Sequence, residues 1–154
     1  MHLYSAGRRE YRQGKLLKEL SMFDTIKSQI QNGMPVLATC AGAILLAETI
    51  DGQMKGQPEQ YFGTIPMCIK RNAYGRQLGS FHTEASVVGI GTVPMTFIRA
   101  PYIASVGNGV EVLAVVEERI VGVKYKNQMA FSFHPELDPD MRIHKTFLSM
   151  ISNV

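Results

Sequence analysis

The chain has 154 residues, 45% of them hydrophobic and 19% charged, with a net charge of +3. That is the size and composition of one globular domain able to bury a core. Its lysines and arginines are scattered rather than clustered, which argues against a nucleic-acid surface, and no apolar run is long enough to span a membrane.

Met1-His2-Leu3-Tyr4-Ser5 carries no apolar signal core. Cys40 and Cys68 lack framework or CxxC spacing, and His2, His82, His134 and His144 stand apart. The expectation is a reducing, cytoplasmic setting with free thiols and no metal site.

Leu16, Leu17, Leu20, Phe23, Ile26 and Ile30 recur at three- and four-residue steps, which predicts one amphipathic helix ended by Gly33 and Pro35. Val36-Leu37-Ala38-Thr39 reads as a short buried strand, and Cys40-Ala41-Gly42 as a turn. Ala43–Glu48 reads as a second, buried helix, and 51–63 as a polar loop. Beyond Ile65 the period becomes two. Strands are predicted over Ile65–Ile69, Ser80–Val88, Thr96–Arg99, Val110–Val116, Ile120–Tyr125 and Gln128–Phe133. Glu117-Glu118 and Lys126-Asn127 read as hairpin tips. Asp138 is placed to cap a last helix that turns Ile143, Phe147, Met150 and Ile151 to the core. The order predicts an α/β domain with a parallel sheet and an antiparallel extension. A buried parallel strand at Val36 needs neighbours on both sides, and few strand candidates precede it.

The chemistry concentrates at Cys40. A strand entering a helix through a small-residue turn is a nucleophile elbow, and the helix N-terminus favours a thiolate and offers N–H groups, beginning at Ala41, to an oxyanion. Alone, Cys40 reads equally as a buried structural cysteine. Ser132-Phe133-His134-Pro135-Glu136 changes the balance. His134 ends an apolar strand, and Glu136, two residues on, can orient its imidazole. A thiol needs a base and the base an orienting group, which Cys40, His134 and Glu136 supply. Cys68 reads as core, and His82 and His144 as surface.

Thr39-Cys40-Ala41-Gly42 before an apolar helix, with a late His-Pro-Glu, resembles the class I glutamine amidotransferases. Lys70-Arg71-Asn72-Ala73-Tyr74-Gly75-Arg76-Gln77, Phe97-Ile98-Arg99-Ala100-Pro101 and Phe131–Leu137 narrow the resemblance to the glutaminase subunits of pyridoxal 5'-phosphate synthase, from about Gln13 onward. The resemblance implies a three-layer αβα sandwich with a mixed, mainly parallel sheet. It implies that Cys40 attacks the glutamine amide, that His134 shuttles the proton, and that Glu136 holds His134. It further implies that Arg71, Ile98 and Arg99 bind L-glutamine, Arg76 being a weaker candidate. It implies no metal or organic cofactor, and it implies that the partner receiving ammonia is a lyase-type synthase subunit. Arginine forks suit a carboxylate.

Two departures stand out. Ala38 occupies a position where the family usually has glycine. Residues 1–12 differ more. Ala6-Gly7-Arg8-Arg9-Glu10-Tyr11 stands where the family, after a strand, has a glycine-rich Pro-Gly-Gly-Glu-Ser-Thr turn that serves the oxyanion hole. Codons for that turn, read two bases late, yield Arg-Glu-Tyr, so a frame change near Arg12 is one account; divergence or a wrong start site is the other. The expectation is one amidotransferase domain over 1–154, incomplete at its N-terminus, with its first strands missing, an open apolar sheet edge and weak activity or none. The alternatives are a non-catalytic relative that still docks on the synthase, and a glutaminase serving another acceptor.

Overall fold

The computed structural model describes residues 9–51, 61–71 and 80–152. Residues 1–8, most of the predicted loop over 51–63, and Asn72 to Gly79 with Arg76 therefore lie outside the described residues, as does most of the divergent N-terminal segment.

The predicted N-terminal helix is two helices, α1 (Arg9–Glu19) and α2 (Phe23–Gln31). They part at Ser21, which has φ +57°. The Ser21 N–H donates to Lys18 O at 3.0 Å and the Met22 N–H to Leu17 O at 2.8 Å. That pair of bonds is a Schellman closure and satisfies the last carbonyls of α1. The break rotates the stripe, so Leu16 and Leu20 face solvent while Phe23 and Ile30 are buried. The second stop falls as predicted. Gly33, at φ +101°, donates to Ile30 O at 3.0 Å, and the Met34 N–H reaches Gln29 O at 2.9 Å.

Strand β1 (Val36–Thr39) follows, then helix α3 (Ala41–Leu46). The predicted helix through Glu48 stops short, because Ala47–Ile50 form β2, paired in parallel with β3 (Ile65–Lys70). Inter-strand bonding there overrides local helix preference. The remaining strands are β4 (Ser80–Val87), β5 (Gly91–Ile98), β6 (Tyr102–Val106), β7 (Glu111–Val116), β8 (Arg119–Tyr125) and β9 (Gln128–Phe131). β5 begins well before the predicted Thr96. It contains Pro94, which a strand tolerates at a sheet edge, and β5 ends the strand order. β6 has no counterpart among the predicted strands. Ile103 is its one buried residue, and pairing with β3 and β8 holds it extended.

The sheet runs β2-β3-β6-β8-β7-β4-β5, with β9 bridging β8 and β1. It is mixed, as expected, but not mainly parallel. Among the described residues, β1 with β9 and β2 with β3 are parallel, and the other pairings are antiparallel. Hairpins with tips at Glu117-Glu118 and Lys126-Asn127 make this so, since short turns can join only antiparallel neighbours.

A core lies on each face. Ala38 of β1 and Ala130 of β9 pack with α2 and α3, while Leu37, Met129 and Phe131 face the other way, toward helix α4 (Arg142–Ser152). This is the period-two alternation of strands sandwiched between helical layers. In α4, Ile143 is buried and Phe147 and Met150 pack against the core, but Ile151 is exposed. Asp138 does not cap that helix. Asp140 does, accepting the Arg142 N–H at 3.0 Å. Cys68 is half-buried rather than core, because Met67 and Ile69 on either side take the inward positions. Among the described residues β1 pairs with β9 alone, and a cavity of about 330 Å³ opens beside it, lined by Ile26, Ile30, Val36, Leu37 and Phe62. No helix of the described residues is long and apolar enough to cross a membrane.

Candidate active site

Cys40 sits between β1 and α3 with φ +49° and ψ −109°. A side chain held there costs on the order of 1–3 kcal/mol, which the surroundings must overdetermine. They do so through both of its backbone polar groups. The Cys40 N–H donates to Phe131 O at 2.8 Å, extending the parallel β1–β9 register by one residue. The Cys40 carbonyl accepts the Ala43 N–H at 3.1 Å, starting α3. At Gly42 α3 passes β1 at van der Waals range: an added Cβ would stand 3.4 Å from Ala38 Cβ.

Beyond Phe131 the chain leaves β9 through buried Ser132 and Phe133 and presents His134. Phe131 and Phe133 contact each other at 5.2 Å between ring centroids, and Phe133 meets Phe97 of β5 at 5.6 Å. These rings fix the strand end. His134 Nδ1 and Glu136 Oε1 are 2.6 Å apart across the 3-10 turn Pro135–Leu137. Nδ1 therefore carries the proton that Glu136 accepts, which leaves the Nε2 lone pair free of that task. His134 Nε2 is buried with no hydrogen-bond partner among the described residues. Pro135 is buried and Glu136 is half in solvent.

β5 closes the third side. Carbonyls two residues apart on a strand point the same way. Thr96 O accepts the His134 N–H at 2.8 Å, and Ile98 O lies 3.9 Å from Cys40 Sγ. One strand edge thus meets both the thiol and the imidazole-bearing turn. Arg99, next in line, has φ +44° and is exposed. Cys40, His134, Glu136, Ile98 and Arg99 consequently gather at the adjoining ends of β1, β9 and β5, with Ala41 opening α3 beside them. Arg71 stands at the end of β3, on the neighbouring arm of the sheet. Its guanidinium donates to the Tyr61 hydroxyl at 2.5 Å and lies 5.8 Å from that ring's centroid. The described contacts thus hold Arg71 on Tyr61.

Sequence reasoning missed the support beneath His134. His82, read as surface, is exposed but not idle. Its Nδ1 is 3.0 Å from Thr96 Oγ1, which donates to Asp138 Oδ2 at 2.9 Å. The available signal was the Gly89-Ile90-Gly91 turn. A hairpin centred on Gly89 pairs His82 directly with Thr96. His144 is half-buried.

Comparison with known proteins identifies the family. The profile described as the SNO glutamine amidotransferase family matches residues 7–153. The pyridoxal 5'-phosphate synthase subunit PdxT of Desulfitobacterium hafniense (strain Y51) is 60% identical over 141 residues, 92% of this chain and 69% of the relative. The PdxT of Streptococcus pneumoniae serotype 2 (strain D39) is 53% identical over 137 residues, 89% of this chain and 69% of the relative. Among solved structures, a crystal structure of a glutamine amidotransferase superposes with TM-score 0.85 at 39% identity, covering 95% of this chain and 76% of the other. A glutamine amidotransferase of Thermotoga maritima, at TM-score 0.54 and 13% identity over 96% of this chain and 71% of the other, shares the fold. With the matched profile spanning nearly the whole sequence and relatives this similar, the chain belongs to the SNO glutamine amidotransferase family.

Proposed function

We propose that this chain hydrolyses L-glutamine to L-glutamate and ammonia, and passes the ammonia to a synthase subunit that builds pyridoxal 5'-phosphate. The observation that carries the reading is the docking of the Cys40 elbow on β9, through the Cys40 N–H and Phe131 O at 2.8 Å, with the 2.6 Å His134–Glu136 pair at the end of that same strand.

In this reading the three residues form a catalytic triad. His134 Nε2 takes the Cys40 proton, and Sγ attacks the side-chain amide carbon of glutamine. The tetrahedral oxyanion is met by the Ala41 N–H at the start of α3. His134 returns the proton to the leaving nitrogen, ammonia departs, and a thioester remains. Water, deprotonated by His134, opens the thioester and releases glutamate. Glu136 accepts the His134 Nδ1–H and stabilises the imidazolium formed twice per turnover. Ile98 and Arg99 border the substrate, and Arg71 and Arg99 supply cations for its α-carboxylate. The chemistry requires no cofactor, since every proton moves between groups already named. The partner is the lyase subunit of pyridoxal 5'-phosphate synthase, and the free thiols Cys40 and Cys68 suit a reducing cytoplasm.

The test is glutamate release from glutamine by this chain, with and without that synthase subunit, beside a Cys40→Ala control. Release that depends on Cys40 and rises with the synthase is expected. Binding to the synthase without turnover would instead favour a non-catalytic docking relative.

A further inference from the structure

Thr96 touches both ends of the turn that carries the imidazole and its carboxylate. Its carbonyl accepts the His134 N–H at 2.8 Å, and its hydroxyl donates to Asp138 Oδ2 at 2.9 Å. Between these anchors lie Pro135, Glu136 and Leu137, wound so that the Leu137 N–H reaches His134 O at 3.1 Å and the Asp138 N–H reaches Pro135 O at 3.3 Å. One residue of β5 thus staples a five-residue segment at its first and last positions. Two residues further along the same strand, Ile98 O faces Cys40 Sγ. A shift of Thr96 therefore moves the imidazole and the thiol's surroundings relative to each other.

His82 completes the arrangement. It stands directly opposite Thr96 in the β4–β5 ladder, where paired side chains approach closely. A threonine hydroxyl has one proton, and here it goes to Asp138. The contact at 3.0 Å between His82 Nδ1 and Thr96 Oγ1 is then donated by His82, with Asp138 Oδ1 3.8 Å from the same nitrogen. The Asp138 side chain is only 11% exposed, so water does not readily replace the hydroxyl it accepts.

We propose that Thr96, backed by Asp138 and His82, is a positioning residue that sets the distance and angle of His134 toward Cys40. The inference rests on the reading of His134 as the base for Cys40. Productive geometry of this kind is worth a great deal: a displacement of about 1 Å can cost about a hundredfold in rate.

The experiment pairs the full chain with the synthase subunit. It has two readouts. The first is steady-state glutaminase kinetics. The second is alkylation of Cys40 by iodoacetamide, followed by peptide mass spectrometry so that Cys68 is scored separately; it needs no glutamine turnover. Thr96→Val, which keeps the carbonyl and removes the hydroxyl, is expected to lower kcat by about tenfold to a hundredfold with KM for glutamine nearly unchanged. It is also expected to slow Cys40 alkylation in the same direction as His134→Ala. Thr96→Ser restores the hydroxyl and is expected to recover both. Asp138→Ala severs the same bridge from its other end and serves if Thr96→Val does not fold. Wild-type alkylation and kcat in a folded Thr96→Val, or a Thr96→Ser that falls equally far, overturns the inference. If His134→Ala slows both reactions while Thr96→Val slows neither, the base assignment stands and this inference alone fails. If His134→Ala changes neither, the base assignment falls and takes this inference with it.

Discussion

The Cys40 N–H donates to the carbonyl of Phe131 at 2.8 Å, so Cys40, with its φ of +49°, hangs from the strand that leads into His134. Cys40 and His134 thus both follow the C-terminal end of one parallel ladder. Changes in that ladder should register in catalysis even when they lie away from the pocket.

Gly122 of β8 tests this. A Cβ at Gly122 would meet Phe131 Cδ1 at 2.8 Å and Cε1 at 2.9 Å, and Ala114 Cβ at 3.3 Å. The Phe131 ring is fully buried against Phe133 and has no room to swing away. Gly122→Ala is expected to destabilise the fold by about 1–3 kcal/mol through overpacking. It should also lower glutaminase activity, because Phe131 carries the carbonyl that holds Cys40. Urea unfolding with parallel activity measurements checks both; unchanged values in each would contradict the packing argument.

In the proposed mechanism Glu136 orients rather than reacts. Glu136→Gln keeps the size of the side chain and removes the charge beside His134 Nδ1, 2.6 Å away in the wild type. The expected outcome is a loss of kcat on the order of a hundredfold with little change in KM, the scale of misplaced general-base catalysis. Because Glu136 is half in solvent, its replacement should leave the melting temperature close to wild type. A large fall in melting temperature with kcat retained would reverse the assignment.

Phe133 joins the rings of Phe97 and Phe131 and is itself fully buried. Phe133→Ala is expected to cost about 3–5 kcal/mol. Thermal or chemical denaturation reads it directly, and a loss below about 1 kcal/mol would show that the site collapses around the cavity.

Acid stability should be sensitive to Asp140. Hydrogen bonds from the Arg142 side chain, then from the Arg142 backbone N–H, lower its pKa from 3.8 to about 2. A depressed carboxylate stabilises the fold above the unfolded value, and that contribution is lost as the pH falls through the folded value. The wild type should therefore lose this contribution between about pH 4 and pH 2, while Asp140→Asn shows a flatter profile across the same window. Arg142 also reaches Thr92 O, so the ion pair ties the start of α4 to β5. Melting temperatures of both proteins from pH 5 downward compare the slopes; parallel profiles would refute the linkage.

Much of this molecule was legible from its residues in order, and the limits have physical causes. The elbow at Cys40, the spacing of His134 and Glu136, the stop at Gly33, the hairpin tips and most strands are local patterns. They arise from small residues at a strand–helix junction, a two-residue offset, positive-φ turns and period-two burial, all of which the order of residues carries. What escaped the sequence depended on partners distant along the chain. Ala47–Ile50 is a strand because Ile65–Ile69 bonds to it, and Tyr102–Val106 is one because β3 and β8 flank it. Pro94 hid the first half of β5, since nothing local says that its missing N–H lies at a sheet edge. The Schellman closure at Ser21 turned one apolar stripe into two helices. Residue types alone pointed to Cys40, His134 and Glu136. Their convergence, and the Thr96 bridge beneath them, came from three strand ends meeting, because hydrogen bonds between strands set positions that no spacing along one strand encodes.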